Sequence, residues 1–185
     1  PARRALSQFL GAPVVQHERA SQPVPFERRT QLLAYLLLKR GWIGRTEVAA
    51  LLWPELESKL AYTNLRKSLH RMQALPWASA VEATGSVLRF AADTDVHAFE
   101  TAIREQRIAD ALPLWRGDLL RGFDDDANEA WSGWLAFERN RLRALWKGAA
   151  QQHLAHATVA ADAIDLAARL LAADPLDEDA LRPYL

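Results

Sequence analysis

Residues 59–75, KLAYTNLRKSLHRMQAL, decide how this chain is read, because they form one amphipathic helix whose polar face carries charge of a single sign. Leu65, Leu69 and Met72 stand at i, i+4 and i+7, with Ala61 one turn earlier, so the four share a face that can pack on a core. At about 100° per residue, Thr63, Lys67, His70 and Ala74 project from the opposite face, flanked by Asn64, Arg66 and Arg71. Lys59, Arg66, Lys67 and Arg71 are basic, and the stretch holds no Asp or Glu to neutralise them. Surface helices that only meet solvent usually mix their signs. The stretch is a candidate DNA-reading helix, and a solvated basic face is the alternative that its neighbours must decide.

Upstream, residues 5–26 are short, punctuated and loosely alternating: ALSQFLG, PVVQHE and QPVPF, separated by residues 11–13 and 19–21. Three short strands in a meander fit this text best. RRTQLLAYLLLKRG (28–41) has the nearly all-apolar flank of a central core helix, with Lys39 and Arg40 at its negative end and Gly41 expected as the residue that ends it. Trp42-Ile43 is a brief extended step. RTEVAALLWPE then carries Val48, Leu51 and Leu52 on one side until Pro54 stops it. Downstream, Pro76 is expected to end the basic helix, and AVEATGSVLRF (80–90) reads as a hairpin turning at Thr84-Gly85-Ser86, with Leu88 and Phe90 facing the core. Strands, three helices and a closing hairpin in this order predict a winged helix over residues 1–92, with the second and third helices as helix-turn-helix and the hairpin as wing. Arg89, on the wing strand, is placed to meet the DNA backbone.

From Asp93 onward strand signals vanish and helical spacing takes over, broken at Gly117, Gly122 and Asp174-Pro175. A helix is expected from 128 to 157, another before Asp174, and a further one beginning at residues 176–178. Helical hairpins joined at a proline corner predict an all-α, tetratricopeptide-like second domain over 93–185, expected to continue past the last residue.

The formal net charge is zero, yet residues 1–92 hold 13 Lys and Arg against 6 Asp and Glu, a net +7, while residues 93–185 hold 10 against 17, a net −7. The basic half is the one that contains the candidate DNA-reading helix. Such a split suits a first part that meets a polyanion and a second that meets something else. No cysteine is present, which removes disulfides, thiolate metal sites and thiol catalysis together. The longest dense apolar run, residues 32–38, is far short of the roughly 20 residues that span a bilayer, and nothing resembles a signal peptide, so a cytoplasmic protein is expected.

At this point the residues resemble bacterial transcriptional activators that join an OmpR-like winged helix to a bacterial transcriptional activator domain, as in antibiotic-pathway regulators. The strings that carry the likeness are RRTQLLAYLLLKRG, IGRTEVAALLWPE, NLRKSLHRM and DVHAFETAI, followed by WRGDLLRGF, WSGWLAFERNRLRAL and ADPLDEDALR. Their order and spacing, more than any one phrase, are specific. The resemblance implies that Thr30 and Arg45, at the starts of the first and second helices, lie near DNA phosphates, where helix N-termini offer free N–H groups. It also implies that Thr63, Asn64, Arg66, Lys67, His70 and Arg71 face the major groove, and that the loop 55–58 meets RNA polymerase. Members generally carry Ser or Thr where this chain has Gly44, which puts a side-chain role there in doubt.

Other constellations do not survive weighing. His153 and His156 lie three apart on a helix but lack a third metal ligand. Asp124-Asp125-Asp126 lacks the Gly and Glu of a calcium loop and is better read as an acidic cluster before a helix start at Asn128. None of the glycines forms a P-loop or a dinucleotide fingerprint. Trp115, Trp131, Trp134 and Trp146 sit among acids and read as core or interface anchors. The expectation is therefore a non-enzymatic, cofactor-free regulator of double-stranded DNA, an activator that dimerises on direct repeats or contacts polymerase through its helical half. The alternative is an interaction scaffold whose winged helix no longer binds DNA.

Overall fold

A computed structural model describes residues 6–17, 20–75, 81–156 and 160–173. Among them, seven α-helices accompany two three-stranded antiparallel sheets, and the C-terminal part is helical. The first sheet is the expected meander, β1 (Leu6–Gln8), β2 (Val14–His17) and β3 (Ala20–Pro23), with Ser7 opposite Val15 and Val15 opposite Gln22. The third strand lies earlier than QPVPF suggests. All four of its residues face solvent, so no apolar alternation marks it, and only pairing with β2 defines it.

Helix α1 (Arg28–Lys39) is central, with every residue from Thr30 to Leu37 buried. Its N-terminus is a capping box: Thr30 Oγ1 accepts the Glu27 N–H at 3.0 Å while the Glu27 side chain accepts the Thr30 N–H. It ends one residue before the expected glycine. Arg40, at φ 56°, takes the left-handed position and donates its N–H to the Leu36 carbonyl at 3.2 Å, at a steric cost of about 1 kcal/mol that a glycine would avoid.

Strand β4 (Ile43–Gly44) leads directly into α2 (Arg45–Leu52), and α3 (Ser58–Met72) packs against α1 and α2. Helix α3 stops three residues before the expected end, because the N–H groups of Gln73, Ala74 and Leu75 turn back to carbonyls three residues earlier. Pro76 lies outside the described residues. The hairpin of β5 (Val81–Thr84) and β6 (Val87–Phe90) turns at Gly85-Ser86, with Gly85 at φ 55°. Pairing of β4 with β6 gives the second sheet the order β4-β6-β5.

The helical part comprises α4 (Asp95–Arg104), α5 (Ile108–Ala111) with a 3₁₀ turn at Leu112–Leu114, α6 (Glu129–Ala155) and α7 (Ala160–Ala173). Thr94 and Asn128 cap α4 and α6 by accepting the N–H groups of His97 and Trp131. Asp174-Pro175 and the helix expected from residue 176 lie outside the described residues.

The two parts share one core. Phe9, Leu36, Leu52, Phe90, Phe99, Leu120, Trp131 and Trp146 belong to a single cluster of buried side chains. Asp95, 4% exposed, accepts the N–H of Phe9 at 2.7 Å and of Leu10 at 3.0 Å and is paired with Arg116 at 3.2 Å. Burial raises its pKa, and the two N–H groups and the guanidinium oppose that rise. Just past β1, the Leu120 N–H reaches the Phe9 carbonyl at 2.8 Å and the Gly11 N–H reaches the Asp118 carbonyl at 3.0 Å. Asn128 also donates to the Leu51 carbonyl at 2.9 Å, so the cap of α6 satisfies the end of α2. Tyr35 of α1 meets Trp134 of α6 edge to face at 4.9 Å. The first sheet pairs within the N-terminal half, and these bonds fasten it to the helical half.

Candidate nucleic-acid interface

The two faces of α3 fall where the spacing puts them. Ala61, Leu65, Ser68 and Met72 are buried and Leu69 is half-buried against the core, while Thr63, Arg66, Lys67, His70, Arg71 and Ala74 are exposed and Asn64 is intermediate. Among the described residues no carboxylate pairs with Lys59, Arg66, Lys67, His70 or Arg71, whereas most arginines of the helical half are bridged to acids. Thr63 returns its hydroxyl to the Lys59 carbonyl at 2.9 Å, leaving the oxygen's lone pairs on the open face. Lys59 is exposed and belongs to the same stripe, since 59, 63, 67 and 70 follow one another at helical spacing. That spacing was enough to add it to the candidate residues.

Behind the open face the helix pair is tied together. Thr46 on α2 and Tyr62 on α3 share a hydrogen bond between their hydroxyls. Tyr35 of α1 donates to Glu47 of α2 at 2.6 Å, and burial together with this carboxylate pushes the phenol pKa up, so it remains a donor. These contacts fix the angle at which α3 is presented, and sequence spacing alone does not reveal them.

Of the three residues expected at phosphates, the structure separates one from the others. Arg45 opens α2, is partly exposed, and donates its backbone N–H to the Ser86 carbonyl at 2.8 Å, which sets the start of α2 beside the hairpin turn. Its buried Nε has no hydrogen-bond partner among the described residues. Thr30 is 2% exposed and its hydroxyl is engaged with Glu27 and the Pro25 carbonyl, so its side chain is held inside the capping box. The start of α1 faces the helical half instead: Arg28 pairs with Asp125, and Phe26 packs edge to face on Phe123 at 5.5 Å. Arg89 is also spent within the protein. It makes two bonds to Glu82 at 2.9 and 2.8 Å across the hairpin and stacks on Trp42 at 4.6 Å, so any contact with DNA must displace a carboxylate.

Gly44 caps α2 with no side chain to offer its free N–H groups. The tryptophans of the helical half are packing groups: Trp115 stacks on Trp146 at 5.4 Å, Trp131 is fully buried, and Trp134 lies between Trp131 and Tyr35. Asp124 is held by Arg139, which lowers its pKa, and Asp125 by Arg28. Among the described residues no helix is long and apolar enough to cross a membrane.

A basic helix is thus presented on a packed helix pair beside a hairpin, joined to a helical part. Residues 85–185 match the model of the bacterial transcriptional activator domain, more than half of the chain. The chain belongs to that family. In fold it is similar to a chain of Mycobacterium tuberculosis EmbR solved in complex with a low-affinity phosphopeptide, with a TM-score of 0.64 and 17% sequence identity over 97% of this chain. The match covers 53% of the EmbR chain, so this sequence spans about half its length. A comparison with curated proteins gives no match.

Proposed function

We propose that this chain is a sequence-specific double-stranded-DNA-binding transcription regulator, acting as an activator and reading the major groove with α3. The observation that carries the reading is the outer face of α3, where Lys59, Arg66, Lys67, His70 and Arg71 are open and unpaired among the described residues. In this reading residues 1–92 are an OmpR-like winged helix with β5 and β6 as wing, and 93–185 a tetratricopeptide-like domain. Thr63, Asn64, Arg66, Lys67, His70 and Arg71 contact bases or flanking phosphates, and Arg45 grips the backbone beside the wing. The membership of the chain in the activator-domain family supports a regulatory role without catalysis. A second copy on a direct repeat, RNA polymerase at the loop 55–58, and a cytoplasmic setting follow from the same reading.

The competing reading, an interaction scaffold, draws on the neutralised Arg89 and the buried Thr30. A gel-shift titration with genomic fragments at increasing salt separates the two, since phosphate neutralisation makes affinity fall steeply with salt. Specific complexes that weaken steeply with salt support the regulator. Absence of any complex at low salt overturns it. Selection of bound sequences from a random duplex pool then defines the target.

A further inference from the structure

Away from α3, a cleft of about 580 Å³ opens between the 115–121 segment, α6 and the end of α7. Among the described residues, four guanidiniums line it, those of Arg116, Arg121, Arg143 and Arg169, against the single carboxylate of Asp118. This concentration stands in a half of the chain whose net charge is −7. Arg143 is matched to Asp118 at 2.6 Å, and Arg116 leans on the buried Asp95 at 3.2 Å. Arg121 and Arg169 have no carboxylate partner among the described residues. Arg169 is instead held in place by the Trp115 carbonyl at 2.8 Å and by the Trp146 ring at 5.8 Å. Trp146, 2% exposed, lines the cleft, and its buried indole N–H has no acceptor among the described residues.

Each of these features asks for the same complement. Two uncompensated guanidiniums present forked donors that match the oxygens of a phosphate, and an unpaired buried N–H calls for an acceptor. The volume lies within the range of about 300 to 1,000 Å³ typical of small-ligand pockets, and a concave cavity suits a compact molecule better than a duplex backbone. We propose that this cleft binds a small phosphorylated molecule, with Arg121 and Arg169 holding the phosphate and the Trp115–Trp146 wall lying against the rest. The site is independent of the DNA-reading face.

The test uses the whole chain with inorganic pyrophosphate and phenyl phosphate as probes, titrated at constant ionic strength by calorimetry and by the indole N–H resonances of Trp115 and Trp146. Saturable one-to-one binding that moves the Trp146 resonance is expected. Arg121→Gln, an exposed side chain whose loss leaves the fold intact by circular dichroism, should weaken binding at least about tenfold, while Lys67→Gln on α3 should leave it unchanged. No saturable binding by either probe overturns the proposal. So does a loss in Lys67→Gln with Arg121→Gln unaffected, which would place the phosphate on the DNA-reading face.

Discussion

The Asp95 carboxylate accepts the backbone N–H of Phe9 at 2.7 Å, a bond between residues 86 positions apart that fastens the first strand to the first helix of the C-terminal part. Its second oxygen takes the Leu10 N–H at 3.0 Å. Replacing it leaves two buried N–H groups and the Arg116 guanidinium without their acceptor. Asp95→Ala should therefore cost about 3 kcal/mol of stability, measured by urea denaturation. By the same argument residues 1–92 alone should show no cooperative thermal transition matching that of the whole chain. An unchanged midpoint in the truncated protein would mean that the N-terminal half is self-sufficient.

Lys67→Ala and His70→Ala remove two exposed side chains from the open face of α3. Each should weaken specific binding by about 1 to 3 kcal/mol if it reads bases, with folding nearly unaffected. Affinity unchanged in both variants, with native circular dichroism, would show that the reading face lies elsewhere.

Arg45→Ala should weaken binding to cognate and random duplexes alike and reduce the log-log salt slope by about one, as loss of one phosphate contact does. A changed sequence preference with the slope intact would instead make Arg45 a base-reading residue.

His97 is buried between α1 and α4, with Nδ1 against the Thr94 hydroxyl and Nε2 against the Leu38 carbonyl at 3.4 Å. Burial, reinforced by Arg40, lowers its pKa from 6.5, so the folded protein binds fewer protons here than the unfolded chain. The contribution of neutral His97 to stability is thus full above 6.5 and is lost as pH falls through the lower folded pKa. Denaturation midpoints across this range should fall more steeply with acid in the wild type than in His97→Gln; parallel curves would refute the assignment.

Gly44 precedes α2 at φ −63° and ψ 136°, and a Cβ built there meets nothing within 4 Å. Serine fits this conformation, can accept a free N–H of the first turn, and restricts the unfolded chain. Gly44→Ser should raise stability by about 0.5 to 1 kcal/mol in a thermal melt, and a lower melting point would show that the β4 pairing does not tolerate a side chain.

What could be read directly from the residues was whatever depends on local periodicity. The faces of α3 follow from 3.6-residue spacing, the central position of α1 from its apolar flank, and the hairpin turn from Gly85. Strand β3 is not legible in the sequence because its exposed residues carry no alternation, and neither is the end of α1, where Arg40 adopts a conformation that glycine usually fills. Tertiary structure decided which polar groups remain free. Thr30, Arg45 and Arg89 look equally suited to a phosphate in the sequence, yet Thr30 is closed into a capping box and Arg89 is held by Glu82 and Trp42. The joining of the two halves through Asp95, Leu120 and Asn128 was likewise invisible, as was the gathering of four arginines around one cleft. Hydrogen bonds and ion pairs between residues tens of positions apart leave no periodic trace in the chain, so only the packed molecule reveals them.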